Sequence, residues 1–245
     1  MNRKKVLVLI NPNSGKKNSK ESVLDALNVF SANNYQMEIY LSQKPMDVTR
    51  YIEENGERFD VVAVFGGDGT LNEATNGLMK LKHKPVISYF PTGTMNDFGT
   101  NFGLTNDMKQ CANIACDGHI ESFDVGKMNL DGKVFEKDLM FGLIINGNRV
   151  AGFEMVEQAD NTFKDGLFDI ILVEHTPNPL ELYNYPLGVL HPELNMKYVE
   201  RYQAKSIIIE SQEKLAWTLD GEEGEETLVA RVENISQALQ IYASK

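Results

Sequence analysis

The sequence predicts an α/β fold in two parts: an N-terminal parallel-sheet domain with helices on its faces, over residues 1–120, and a C-terminal antiparallel β domain, over residues 121–245. Three observations predict it. The first half alternates short β-branched runs with segments of helical apolar spacing, the pattern of strands and crossover helices. The second half is a succession of strand-like runs punctuated by turns at Asp131-Gly, Asn146-Gly-Asn and Asp165-Gly. No low-complexity linker or internal repeat separates the halves, so they are expected to pack closely, with the site in the cleft between them.

The first strand is Lys5 to Ile10, a continuous apolar run of the kind buried on both faces of a parallel sheet, ending in Asn11-Pro-Asn-Ser-Gly15. Val23, Leu24, Leu27 and Phe30 repeat at helical spacing. Met37, Ile39 and Leu41 alternate as a strand, and Asp47 is expected to cap a short helix carrying Val48, Tyr51 and Ile52. Asp60 to Phe65 is a second buried strand ending in Gly66-Gly-Asp-Gly-Thr70, followed by a helix through Leu71, Ala74 and Leu78. Val86 to Phe90 precedes the loop Pro91 to Asp97. Beyond residue 120, strands are expected at Phe135 to Ile145, Leu167 to Glu174, Ser206 to Glu210, Leu215 to Leu219, Thr227 to Val232 and Ala238 to Ala243, with helical spacing only around Leu180 to Leu190.

Composition narrows the class. The 245 residues are 42% hydrophobic and 24% charged, which excludes disordered, collagenous and coiled-coil chains. No apolar-plus-Gly run, Leu139 to Ile145 included, is long enough to span a bilayer. Val6 to Ile10 follows a basic start, but Asn11-Pro-Asn ends it too early for a signal peptide. The expectation is an intracellular, cytoplasmic protein. Cys111 and Cys116, five apart on an expected helix, stand about 140° apart around its axis and are poor disulfide partners. The four histidines form no zinc spacing. The net charge of −11 is uneven: residues 1–124 hold 13 basic against 15 acidic residues, and residues 125–245 hold 11 against 20. Such acidity argues against nucleic-acid binding.

Three loops, Asn11 to Gly15, Gly66 to Thr70 and Pro91 to Asp97, follow the carboxyl ends of three expected parallel strands, the edge where open α/β sheets bind ligands. All are rich in Gly, Ser, Thr and Asn, which bring main-chain N–H groups close to an anion. None is a Walker A or a G-x-G-x-x-G sequence. A single such loop reads as a tight turn with Asp68 as an N-cap; three on one edge read as a phosphate site, with Asp68 orienting water or Mg2+. In Leu219-Asp-Gly-Glu222 a carboxylate on a turn suits a general base, and a solvated acidic turn is an equal reading from these residues alone.

Taken in order, Asn11-Pro-Asn-Ser-Gly15, Gly66-Gly-Asp-Gly-Thr-Leu-Asn-Glu73 and Pro91-Thr-Gly-Thr-Met-Asn-Asp-Phe98 resemble the diacylglycerol kinase catalytic domain, within it the DgkB-type lipid kinases of bacteria. The likeness continues through Asp124-Val-Gly126, Gly152-Phe-Glu154, Asp165-Gly-Leu-Phe-Asp169 and Leu219-Asp-Gly-Glu222. It implies ATP- and Mg2+-dependent phosphoryl transfer to a lipid hydroxyl, with diacylglycerol giving phosphatidic acid. By motif position, ATP contacts fall on Asn11, Pro12, Asn13, Ser14, Gly15, Gly66, Gly67, Asp68, Gly69, Thr70, Leu71, Asn72, Glu73 and Thr94. Ser42 replaces a nucleotide-contacting threonine. Glu222 takes the place of the general base, with Asp220 and Asp68 as catalytic companions, and Thr162, Asp165 and Leu167 match the positions that hold Mg2+.

One departure stands out. Asp124 to Asn129 runs almost directly into Leu130 to Phe135, which resembles a later part of the family's sheet, so the second domain is expected to be several dozen residues short. The alternatives are therefore a catalytically weak ATP-binding pseudokinase or lipid sensor and, less favoured because of Asn96-Asp97-Phe98, an NAD kinase. The expected partner is a lipid substrate at the membrane surface, met peripherally. Met79 to Lys84 offers cations to anionic headgroups, and Leu180 to Leu190 offers an apolar face to lipid or to a second subunit in a homodimer.

Overall fold

The computed structural model describes residues 3–14, 19–93, 96–129, 139–147, 149–150, 153–154, 164–175, 185–190 and 197–244. The chain forms two compact units, neither continuous in sequence. The first comprises Met1–Phe123, Asp220–Glu222 and Ala238–Lys245, and the second comprises Asp124–Leu219 and Glu223–Gln237.

In the first unit β1 (Lys5–Ile10), β2 (Gln36–Leu41), β3 (Val61–Gly66) and β4 (Val86–Pro91) form a parallel sheet in the order β4-β3-β1-β2. The C-terminal end of the strand Thr227–Tyr242 adds beside β4, parallel, with Ile241 opposite Ile87. Val6, Leu7, Val8 and Leu9 are fully buried, as are Val62, Ala63 and Val64. Helices cover both faces, so no alternation survives in these strands. Edge strand β2 keeps it, with Ile39 and Leu41 about half exposed.

The helices are α1 (Ser19–Ala32), α2 (Asp47–Asn55), α3 (Asp68–Leu78), α4 (Asp97–Asn101) and α5 (Met108–Asp117). α1 packs on α5, and α2 on α3. Phe30 of α1 meets Phe90 edge-on at 6.0 Å, and Phe90 stacks on Phe65 at 4.0 Å. α5 is closed at its start by the Asp107 side chain, which accepts from the Gln110 amide at 3.0 Å, and at its end by Gly118 at φ 77°.

Asp47 does not cap α2. Met46, in the left-handed region, is the N-cap, and Asp47 is the first helical residue. Its carboxylate instead turns back to accept from the Gln43 amide (2.9 Å) and the Tyr40 hydroxyl (2.8 Å) and pairs with Arg50 (2.5 Å).

In the second unit, strands Leu139–Ile145, Phe168–Glu174 and Val199–Ala204 make an antiparallel sheet with the middle segment central. One face packs Ile145, Ile171 and Val173 against Val189 of a short helix, Tyr185–Leu190. Two expectations change here. Ser206 begins a strand that runs on to Leu215, antiparallel to Thr227–Glu233, with a register irregularity between Glu210 and Leu215. The runs expected as two strands after Thr227 are one, Thr227–Tyr242, with Gln237 at φ 48°. The start of the strand expected at Phe135 and the call on Gly152 lie outside the described residues.

Candidate active site

Strand order places the site. From β1 the chain adds β2 on one side, and β3 and β4 on the other. The carboxyl ends of β1 and β3 therefore flank the point where the sheet reverses direction, the crevice in which such sheets bind ligands. Register brings the loops level: Ile10 lies opposite Phe65 and Leu41, and Gly66 opposite Pro91. Main-chain bonds continue past the strands, with Asn11 N–H donating to Phe65 O (3.0 Å), Thr92 N–H to Gly66 O (2.9 Å) and Ser42 N–H to Ile10 O (3.0 Å).

Side chains then tie the three loops together. Asn11 Nδ2 donates to Thr70 Oγ1 at 3.0 Å, while its Oδ1 accepts from the Asn13 amide at 3.0 Å. Ser14 Oγ and Thr92 Oγ1 are 2.9 Å apart, and Ser14 Oγ also donates to Asn11 O. Gly67 and Gly93 press together: a Cβ on Gly93 would stand 2.8 Å from Gly67 Cα. Asn96, buried and at φ 53°, clamps its loop by donating from Nδ2 to Gly93 O at 2.8 Å. These ties join the three loops at the start of α3. There Gly67 is the N-cap, without a side-chain cap, and Asp68 is the first helical residue rather than the cap. An uncapped helix start favours an anion.

The remaining positions sort by what they touch. Pro12 and Asn13 form the exposed tip of the first loop, and Ser42 is buried beneath it. Asp68 Oδ1 accepts from the Tyr89 hydroxyl at 3.4 Å. Tyr89 is buried, and burial first, then the Asp68 charge, raises its pKa, so it stays a donor. Leu71 packs into the core, and Asn72 bonds Asn76 on the exposed side of α3. Glu73 turns to α2, accepting from the Met46 amide (3.0 Å) and the Val48 amide (3.2 Å). Gly15 and Thr94 lie outside the described residues. The acidic turn belongs to the same unit as the loops. It is a two-residue hairpin between Thr218–Leu219 and Glu222–Glu223, with Asp220 at φ 49° and Gly221 at φ 85°, the signs of a type I′ turn.

In the second unit, Asp165 and Leu167 share one turn, in which Leu167 N–H donates to Asp165 Oδ1 at 2.9 Å. Thr162 lies outside the described residues. A carboxylate and a main-chain carbonyl are the oxygen donors a hard cation takes, and the buried Asn234 beside them has an Oδ1 without a hydrogen-bond partner. The donor set fits Mg2+. Among the described residues no group of three or more His, Cys, Asp or Glu forms a metal cluster.

Sequence reasoning missed Thr92, Gly93, Asn96 and Tyr89 as members of the site. Their loop was read, but each of these contacts depends on a partner from another loop or strand, or on the fold of the loop itself.

Compared with known proteins, the chain falls among kinases: residues 5–128, just over half of the chain, match the family described as diacylglycerol kinase catalytic domain. The chain belongs to that family. A diacylglycerol kinase of Staphylococcus carnosus is 27% identical over 300 residues, covering 99% of this chain and 96% of that protein. One of Staphylococcus aureus (strain bovine RF122 / ET3-1) is 28% identical over 295 residues, covering 98% and 93%. Both alignments run over more positions than the 245 residues present here, so dozens of residues of those relatives have no counterpart. A crystal structure of a diacylglycerol kinase from Bacillus anthracis str. Sterne superposes with a TM-score of 0.81 at 23% identity, covering 100% of this chain and 98% of that one. Among the described residues no helix is long and apolar enough to cross a membrane.

Proposed function

We propose that this kinase transfers the γ-phosphoryl group of ATP to the free hydroxyl of a lipid, with diacylglycerol as acceptor and phosphatidic acid as product. The observation that carries the reading is the cross-tied cradle at the sheet's reversal point: Asn11 to Thr70, Ser14 to Thr92, and Gly67 against Gly93. Phosphoryl transfer asks a protein chiefly for positioning and charge neutralisation, and the cross-tied loops supply the first. Asn11 to Gly15, Ser42, Gly66 to Glu73 and Thr94 hold the nucleotide, with Leu71 limited to its main chain and Glu73 acting through α2.

Glu222 accepts the lipid hydroxyl proton as general base, with Asp220 beside it on the turn and Asp68 at the mouth of α3. Thr162, Asp165 and Leu167 would hold Mg2+, which would supply fixed positive charge at the turn. The acceptor is a membrane lipid, so the protein works in the cytoplasm in peripheral contact with a bilayer.

Incubation with Mg-ATP and diacylglycerol in mixed micelles should yield labelled phosphatidic acid, and Glu222→Gln should abolish it while ATP still binds. Absence of any labelled lipid across glycerolipids and sphingoid bases would overturn the assignment.

A further inference from the structure

The strand Thr227–Tyr242 carries a residue that strand patterning places badly. Asn234 is 1% exposed, and burying an unpaired amide costs free energy. All three of its N–H bonds are satisfied. Its main-chain N–H donates to Lys205 O at 2.8 Å, and its Nδ2 donates to Leu167 O at 3.0 Å and to Asn146 Oδ1 at 3.3 Å. Two acceptors on one nitrogen fix the amide's orientation, since a flip would set oxygen against oxygen. The Oδ1 is buried and has no hydrogen-bond partner.

A second buried group works on the same turn. Asp124, 2% exposed, accepts from Gly166 N–H through Oδ2 and from Gln237 N–H through Oδ1, both at 2.6 Å. Asn146 Nδ2 donates to the Asp124 carbonyl at 2.9 Å. The turn is thus gripped twice in succession, at Gly166 by Asp124 and at Leu167 by Asn234.

We propose that Asn234 is a positioning residue for a divalent cation: by holding the Leu167 carbonyl, it presets the oxygen that Leu167 offers beside Asp165. This rests on the reading that the turn binds Mg2+. A structural bond alone would account for Nδ2. The unpaired Oδ1 points further, because a buried oxygen of this kind costs free energy until a water or a cation completes it. Outer partners of this sort set metal affinity by fixing the ligands they touch.

The test is a Mg2+ titration of the full chain without nucleotide, at constant ionic strength, followed by thermal unfolding. The wild type should be stabilised saturably. Asn234→Ala and Asn234→Leu, which lose the bond to Leu167, should raise the half-saturating Mg2+ concentration by about 10- to 100-fold. Ile171→Val, in the buried core of the three-stranded sheet and outside this hydrogen-bond network, should lower the melting temperature and leave half-saturation unchanged, which separates positioning from packing. Wild-type half-saturation in either Asn234 variant overturns the proposal. No Mg2+ response in the wild type overturns the cation reading and the proposal with it, while phosphatidic acid formation judges the kinase assignment separately. Should neither Asn234 variant fold, wild-type hydrogen exchange decides: Mg2+ should protect the segments holding Gly166 and Asn234 together, and unchanged exchange at both counts against the proposal.

Discussion

Gly67 and Gly93 lie back to back across two loops that are 26 positions apart in sequence: a Cβ on Gly67 would stand 3.3 Å from Gly93 Cα, and one on Gly93 would stand 2.8 Å from Gly67 Cα and from Asn96 Oδ1. The obstacle is main chain, which cannot swing aside as a side-chain tip can. Gly93→Ala should therefore push the loops apart and weaken ATP binding by about tenfold or more, with a stability cost of about 1–3 kcal/mol, as for other overpacking changes. Gly67→Ala, meeting the milder contact, should do less. Nucleotide-dependent thermal shifts of the two variants give the order, and equal, wild-type ATP affinity in both would show that the close approach plays no part.

The Asn11–Thr70 bond predicts a different signature. Asn11→Ala removes a tie between two loops without creating a clash, so the fold should lose about 1 kcal/mol. KM for ATP should rise several-fold, with kcat changing less. Steady-state kinetics at varied ATP checks the split; a fall in kcat with KM unchanged would place Asn11 outside nucleotide binding.

These two cases show what could be read from residue order and what could not. β1, β3 and β4 were legible because Val6–Leu9 and Val61–Phe65 are buried on both faces and read as unbroken apolar runs. The strand Ile120–Asn129 was not, because Glu121, Asp124 and Gly126 interrupt any alternation, and Asp124 is polar yet buried. Thr227–Tyr242 looked like two strands for the same reason: Asn234 faces inward to polar partners, and Gln237 takes a positive φ. In the site, loop composition singled out the three loops that the sheet register and the Asn11–Thr70 and Ser14–Thr92 contacts bring together. The commitment of Glu73 to the start of α2, and of Tyr89 to Asp68, could not be foreseen, because each joins residues more than twenty positions apart.

Asp47 should set part of the acid limit of stability. The Gln43 amide, then the Tyr40 hydroxyl, hold its carboxyl below the ordinary value of 3.8, with Arg50 and Lys44 adding to the effect. A depressed carboxylate contributes stability that is present above its unfolded pKa and is lost as pH falls through the lower, folded one. Asp47→Asn should thus be less stable than wild type at neutral pH, and the difference should shrink below about pH 4. Denaturant melts across pH 2–7 measure it; a gap of constant size would assign the loss to shape rather than charge.

The two cysteines should differ in reactivity. Burial pushes the Cys111 thiol up to about 11, and its Sγ donates to Thr105 O at 3.2 Å. At pH 8 the thiolate is then about one part in a thousand, and the thiolate is the reactive form. Cys116 is only partly buried. Alkylation of the native protein followed by peptide mass analysis should therefore label Cys116 first and Cys111 only with denaturant. Equal native labelling would contradict the burial.

The acidic turn allows position to be separated from stability. Gly221 at φ 85° and Gly118 at φ 77° both take a conformation that L side chains resist, and a Cβ on either meets nothing within 4 Å. Alanine at either place should cost about 1 kcal/mol from backbone strain alone, which for a chain of this size lowers the melting temperature by about 2–4 °C. Gly118 only ends α5, so Gly118→Ala should keep its kcat. Gly221 sets the turn that carries Asp220 and Glu222, so relaxation of Gly221→Ala toward negative φ moves the proposed general base. Its kcat should fall by about 10- to 100-fold, the range a displaced catalytic group produces, while ATP-dependent stabilisation persists. Measuring both variants together makes the comparison decisive: matched melting temperatures with unequal kcat support a positioned Glu222, and matched kcat values would remove the acidic turn from the reaction.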